Sequence, residues 1–173
     1  PSIRGSGTLP NHVMHVHTDN KLYVCDYDST SSTAANRGRG LIHFIRTTFS
    51  TTEGTGNYSS TYNALDLPIG YMPTCLESYG NFLVIGAIPA GSNATLMQGK
   101  AALFFWDTLS PSFSQIVYLP DPLVTALKNV NGRLYVFTGA VSTGSAVSNG
   151  YRVSVYVGGN RIEQVYFSNT GAP

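Results

Sequence analysis

Short, strongly apolar runs punctuated by Gly, Asn and Pro recur along the chain, and three of them line up without gaps. They span Met14 to Cys25, Thr74 to Ile85 and Ala126 to Phe137. Each reads as a short strand, a tight turn and then a strongly apolar strand. Asn131-Gly132 is the favoured pair for a two-residue type I′ hairpin, because both central residues need a positive φ. In the ungapped alignment Tyr79-Gly80 and Asp19-Asn20 stand at the same place, with Gly or Asn where the left-handed conformation costs least.

A third strand follows each hairpin, at Leu41 to Ile45, Ala102 to Trp106 and Val153 to Val157. A fourth follows that, at Ala64 to Leu67, Gln115 to Leu119 and Arg161 to Tyr166. Two of the fourth strands end in Leu-Pro, at Leu67-Pro68 and Leu119-Pro120. Proline cannot donate to a ladder, so it suits the end of an outer strand. Leu9-Pro10 stands at a similar distance before the first repeat, which makes Thr8-Leu9-Pro10 the expected tail of a preceding fourth strand.

Four antiparallel strands repeated at about 50 to 60 residues are the signature of a β-propeller. The predicted fold is therefore all-β: about three four-stranded antiparallel blades plus a leftover strand, a fragment of a larger propeller. The expected division is the end of a preceding blade at 1–10, then blades at 11–70, 71–121 and 122–173. The competing arrangement is a single β-sandwich of a dozen strands, which would not need to repeat in register. With three blades present and 4–8 usual, the chain is either part of a longer array or one of several copies that complete a ring.

Composition narrows the function classes. Of 173 residues only 11% are charged, less than half the usual share of about 25%. Ten basic against nine acidic side chains leave a formal charge of +1, so nucleic acid is not an expected partner. No apolar run reaches the roughly 18 residues of a membrane-spanning helix. The chain opens at Pro1-Ser2-Ile3-Arg4 with no apolar segment of the signal-peptide kind. Cys25 and Cys75 are too few for a disulfide framework and read as buried thiols inside strands.

The connections between second and third strands are long in all three repeats: Asp28 to Arg39, Ile88 to Gly99 and Thr138 to Gly150. In a blade these lie on one face, and insertions concentrated on one face mark a contact surface. The candidate binding residues are accordingly Ser29, Thr30, Asn36, Arg37, Asn93, Thr95, Gln98, Ser142 and Asn149. Thr47 to Tyr62, on the opposite face, reads as a long loop specific to the first repeat, either an inter-subunit arm or a disordered loop.

Few residues suggest chemistry. His15 and His17 share one strand face, but in the ungapped alignment they match Cys75 and Leu127, and Glu77 and Asn129. No ring of metal ligands results, and neither a metal nor a cofactor is expected. Glu77 is the only acid on a first strand. Asp66, Asp107, Asp121 and Glu163 fall on outer strands or turns, where solvated or turn-stabilising roles are the default. Phe104 and Trp106 share one strand face and Phe105 takes the other, as packing between blades requires. Asn57-Tyr58-Ser59 and Asn93-Ala94-Thr95 match glycosylation sequons, which a Ser/Thr/Asn-rich chain also produces by chance.

Leu67-Pro68-Ile69-Gly70-Tyr71-Met72-Pro73-Thr74 running into Tyr79 to Gly86, with Ala102 to Asp107 before Ser110-Pro111-Ser112-Phe113, resembles a known type of protein. It is similar to the blades of large propeller-containing structural proteins of tailed bacteriophages, and Ala126 to Val136 fits the same style. The resemblance implies a non-enzymatic virion protein of the tail or neck. Such a protein would scaffold neighbouring virion proteins or touch a host-surface glycan or protein, in an oligomeric assembly. An extracellular location is the fallback. The alternatives are a lectin-like propeller closed by oligomerisation and a glycan hydrolase whose acids lie in missing blades. No functional residue transfers from the resemblance.

Overall fold

The computed structural model describes residues 13–28, 38–49, 56–89, 100–139 and 150–168, with the backbone alone for 28, 46–49 and 56–63. Among them twelve strands form three sheets, each a simple antiparallel meander. Sheet I holds β1 (Met14–Val16), β2 (Leu22–Asp28), β3 (Arg39–Phe49) and β4 (Gly56–Asp66). Sheet II holds β5 (Tyr71–Tyr79), β6 (Phe82–Pro89), β7 (Ala102–Trp106) and β8 (Gln115–Tyr118). Sheet III holds β9 (Leu123–Val130), β10 (Arg133–Gly139), β11 (Tyr151–Gly158) and β12 (Arg161–Ser168). No helix occurs among the described residues, and so none long and apolar enough to cross a membrane.

The first hairpins set the register, and they differ from one another. Val130 pairs with Arg133 around Asn131 and Gly132, whose φ of 50° and 76° are those of a type I′ turn. Tyr79 pairs with Phe82, so the central residues there are Gly80 and Asn81, and only Gly80 has positive φ, at 57°. Glycine at the first central position is the type II′ arrangement. Between β1 and β2 the loop is longer: Asn20 N donates to His17 O, and His17 N to Lys21 O, with Asn20 left-handed at φ 60°.

These turns correct the ungapped alignment of the first strands, by one residue between sheets I and III and by two between sheets I and II. Across the hairpins His15 pairs with Tyr23, Glu77 with Val84 and Lys128 with Tyr135, so His15, Glu77 and Lys128 are the equivalent positions. Cys75 and Leu127 are not equivalents of His15, nor Glu77 and Asn129 of His17. The one-residue step from Leu127 to Lys128 moves the matched side chain to the opposite face, whereas the two-residue step from Cys75 to Glu77 keeps it.

Sheet II lies between the other two, and both its faces are buried. Leu76, Leu83, Ile85, Phe104 and Trp106 pack against Tyr23, Cys25, Ile42 and Leu65 of sheet I. Cys75, Val84, Leu103, Phe105 and Val117 pack against Val124, Leu127, Leu134 and Val136 of sheet III. Phe104 and Trp106 thus serve one junction and Phe105 the other, as their alternation predicts. Trp106 meets the Tyr23 ring edge-on at 5.6 Å and satisfies its indole N–H on Ser110 O at 2.6 Å. Both cysteines are free and buried.

The Leu-Pro signals mark the crossings between sheets. Leu67 N donates to Gly40 O at 2.9 Å, and Leu119 N to Ala101 O at 2.8 Å, each leucine buried and followed by a proline that has no N–H to place. Gly40 is required at the first crossing: a Cβ there would lie 2.7 Å from Pro73 Cδ and 2.9 Å from Tyr71 O. One predicted loop is largely strand. β3 runs on to Phe49 and β4 starts at Gly56, with Thr47 opposite Tyr58 and Thr48 opposite Asn57. Thr, Phe and Tyr there favour extended pairing, which outweighs the loop-like small residues around them.

Candidate functional site

All nine candidate binding residues, Ser29, Thr30, Asn36, Arg37, Asn93, Thr95, Gln98, Ser142 and Asn149, lie outside the described residues, as does Thr8-Leu9-Pro10. The described part of the chain gathers its polar groups elsewhere, where the first strands β1, β5 and β9 come together.

Ser78, near the end of β5, is the hub. Its hydroxyl stands 2.8 Å from His15 Nε2 and 2.8 Å from His17 Nδ1, both reaching over from sheet I. Its backbone carbonyl accepts from Asn129 Nδ2 of sheet III at 2.9 Å, and its N–H donates to Glu77 Oε1 at 3.1 Å. The other Glu77 oxygen pairs with Lys128 Nζ at 3.5 Å. One residue of the central sheet therefore ties both neighbours.

Electrostatics follow from burial. His17, only 4% exposed, packs edge-on to Tyr23. Burial pushes its imidazole below the usual histidine range, against the pull of Asp19, while His15 and Lys21 add to the depression. His15 is lowered by burial too, with Glu77 opposing and Lys128 assisting. Both rings are thus neutral at pH 7. A hydroxyl can donate to one ring nitrogen and accept from the other, so the rings offer it one bare nitrogen and one N–H.

This constellation holds the residue types of a nucleophile and a base, but not their arrangement. Glu77 binds Lys128 and the Ser78 N–H and orients neither imidazole, whereas a triad requires a third group that fixes its base. The imidazoles meet a hydroxyl rather than a third ligand, and no group of three His, Cys, Asp or Glu able to hold a metal occurs among the described residues. The hub's hydrogen bonds run between the three sheets.

A second junction group was missed by sequence reasoning. Asp121 does lie in the turn between β8 and β9, but it is buried between sheets II and III rather than solvated. Its Oδ2 accepts from Thr138 Oγ1 and, at 3.0 Å, from Arg152 Nε, while its carbonyl accepts from Ala101 N at 3.1 Å. Asp107, by contrast, fills the expected turn role by accepting from the N–H groups of Leu109 and Ser110. At the hairpin end of the same junction an open groove of about 520 Å³ is lined by Tyr79, Arg133, Tyr156 and Glu163 among others.

No protein-family model matches the chain, and a search of curated proteins finds no match.

Proposed function

We propose that the three sheets are consecutive blades of a β-propeller, and that the chain works by contact as a structural or host-adhesion protein of a virion. The observation that carries this reading is the repeated junction. Each sheet presents an aliphatic set at one register, Met14, Leu22 and Val24, then Leu76, Leu83 and Ile85, then Leu127, Leu134 and Val136. The second and third sets are each buried against the sheet before. Repetition of one junction around an axis is how propellers bury their sheets. The tying of Ser78, both imidazoles and Asp121 into the junctions supports a scaffold role rather than catalysis. The tail or neck placement rests on the resemblance to phage blades.

The working surface in this reading is the face of the long connections, 29–39, 89–98 and 140–149. Low charge with many hydroxyl and amide groups suits a wet, hydrogen-bonded interface. The test is binding of the labelled chain to virion proteins and to host-surface glycans, at about 0.15 M and about 1 M NaCl. Retained binding at high salt, lost when the three connections are replaced by Gly-Ser linkers, is the expected result. Steady release of cleaved glycan would overturn it in favour of an enzyme. The groove beside Tyr79 and Arg133 favours one second reading, carbohydrate binding, because aromatic and guanidinium faces together suit a sugar ring.

A further inference from the structure

Two imidazoles of sheet I share one hydroxyl of sheet II. Ser78 Oγ stands 2.8 Å from His15 Nε2 and 2.8 Å from His17 Nδ1, and it has no other hydrogen-bond partner among the described residues. A hydroxyl has one proton to donate and two lone pairs with which to accept. With both rings neutral it accepts from the N–H of one ring and donates to the bare nitrogen of the other. A first added proton goes to the outward nitrogen of the ring that already presents its N–H, and both bonds survive. Where that ring is His17, Thr18 Oγ1 stands 3.3 Å from the outward Nε2 and can accept from it. A second proton must occupy the remaining bare nitrogen. Two N–H groups then face one oxygen, and the hydroxyl proton is left without an acceptor.

The surrounding charges do not compensate two protons. His17 faces Asp19 and Lys21 of its own sheet, and His15 faces Glu77 of sheet II and Lys128 of sheet III. Asp19 is already held by Lys21 Nζ at 2.9 Å and by the Tyr23 hydroxyl at 2.8 Å. Glu77 is held by Lys128 Nζ at 3.5 Å and by the Ser78 N–H. Two carboxylates against two ammonium groups leave no spare anion, so a pair of imidazolium ions in contact with one oxygen would repel each other unscreened by a counter-charge.

We propose that His15, Ser78 and His17 form a proton-operated latch between sheets I and II, which holds one added proton with its hydrogen bonds intact and releases on the second. The latch goes beyond the contact role and does not depend on the blade reading. All four histidines of the chain lie in the first repeat, at 12, 15, 17 and 43. The polar group between sheets II and III is Asp121 with Thr138 and Arg152, which holds no imidazole. Mild acid therefore acts on the first junction and leaves the second closed.

The experiment is a pH titration of the chain labelled with nitrogen-15 in its imidazoles, read by NMR, beside the fluorescence of Trp106, which packs edge-on to Tyr23 in the same junction. The His15 and His17 signals should both respond to two protonation steps, about one pH unit or more apart, as coupled sites do. Both steps lie below the ordinary histidine value near 6.5. The fluorescence should change with the second step only. Gln carries a nitrogen where histidine has Nε2, and Asn where it has Nδ1, so His15→Gln and His17→Asn keep a partner for Ser78 but cannot take up a proton. In each variant the remaining ring should titrate in one step, and the fluorescence change should move to lower pH by about half a unit or more. Rings that titrate independently in the wild-type chain would overturn the latch. So would a fluorescence change that accompanies the first step, or one whose midpoint is the same in the wild-type chain and both variants. Should either variant fail to fold at neutral pH, the number and spacing of the wild-type steps decide alone.

Discussion

His15 Nε2 and Ser78 Oγ stand 2.8 Å apart across the junction of sheets I and II, and the same oxygen meets His17 Nδ1 at an equal distance. Ser78→Ala removes the partner of one buried and one half-buried imidazole at once. The expected cost is about 1–3 kcal/mol, the price of leaving buried polar groups unpaired. Urea unfolding followed by tryptophan fluorescence reads it, because Trp106 packs in the same junction. An unchanged midpoint would mean that neither bond contributes.

Acid should weaken the folded chain. His15, His17 and His43 are all lowered from the ordinary histidine value, chiefly by burial. A histidine with a depressed folded pKa binds fewer protons folded than unfolded, so its stabilisation is full above the unfolded value near 6.5 and falls as pH drops below it. The melting temperature should therefore decline between about pH 7 and pH 5.5, before carboxylates titrate. A flat profile over that window would contradict the burial of these rings.

How much of this was legible in the sequence depends on the residue. Asn131-Gly132 announces its turn because only that pair tolerates two positive φ values at little cost. The Leu-Pro crossings and the division of Phe104, Phe105 and Trp106 between junctions were legible for similarly local reasons. The Ser78 hub was not. Aligning on glycine places Gly80 with Gly132, although a type II′ turn carries its glycine first and a type I′ turn second, and the β1–β2 hairpin is also longer than the other two; the two slips together paired His15 with the wrong residues. Asp121 was misjudged because its partners, Thr138 and Arg152, are distant in sequence and reach it only once sheets II and III have packed.

Gly86 is a second place where the packing leaves no room. A Cβ there would lie 2.4 Å from Cys75 Sγ and 3.2 Å from both Val124 methyls. Gly86→Ala should cost about 1–3 kcal/mol by overpacking the junction. Cys75→Ala clears the worst of the clash, so the double variant should be more stable than the two single losses predict. Additive losses in that cycle would show that the two groups do not meet.

The thiols should be silent in the native state. Burial raises Cys25 well above the ordinary thiol range and lifts Cys75 to about 12. Neither supplies thiolate at pH 8, and neither is accessible to a reagent. A chromogenic disulfide should therefore report no fast-reacting group in the folded chain and two in denaturant, the full cysteine content. Rapid labelling of one thiol under native conditions would place it at a surface and break the packing of that junction as described.

Asp121→Asn tests the other junction at nearly constant size. The amide keeps one oxygen for Thr138 but loses the charge that Arg152 faces at 3.0 Å, while the guanidinium also lies over the Phe167 ring at 5.2 Å. A hydrogen bond to a charged group contributes about 1.5–3 kcal/mol, and the arginine is a quarter exposed, which favours the lower end of that range. The loss should be local. Hydrogen exchange is expected to quicken at Ala101, whose N–H donates to the Asp121 carbonyl, and along β9 and β10, while β2 and β3 keep their protection. Uniform acceleration over all three sheets would show instead that this clamp is felt by the whole stack, and that the junctions open together rather than one at a time.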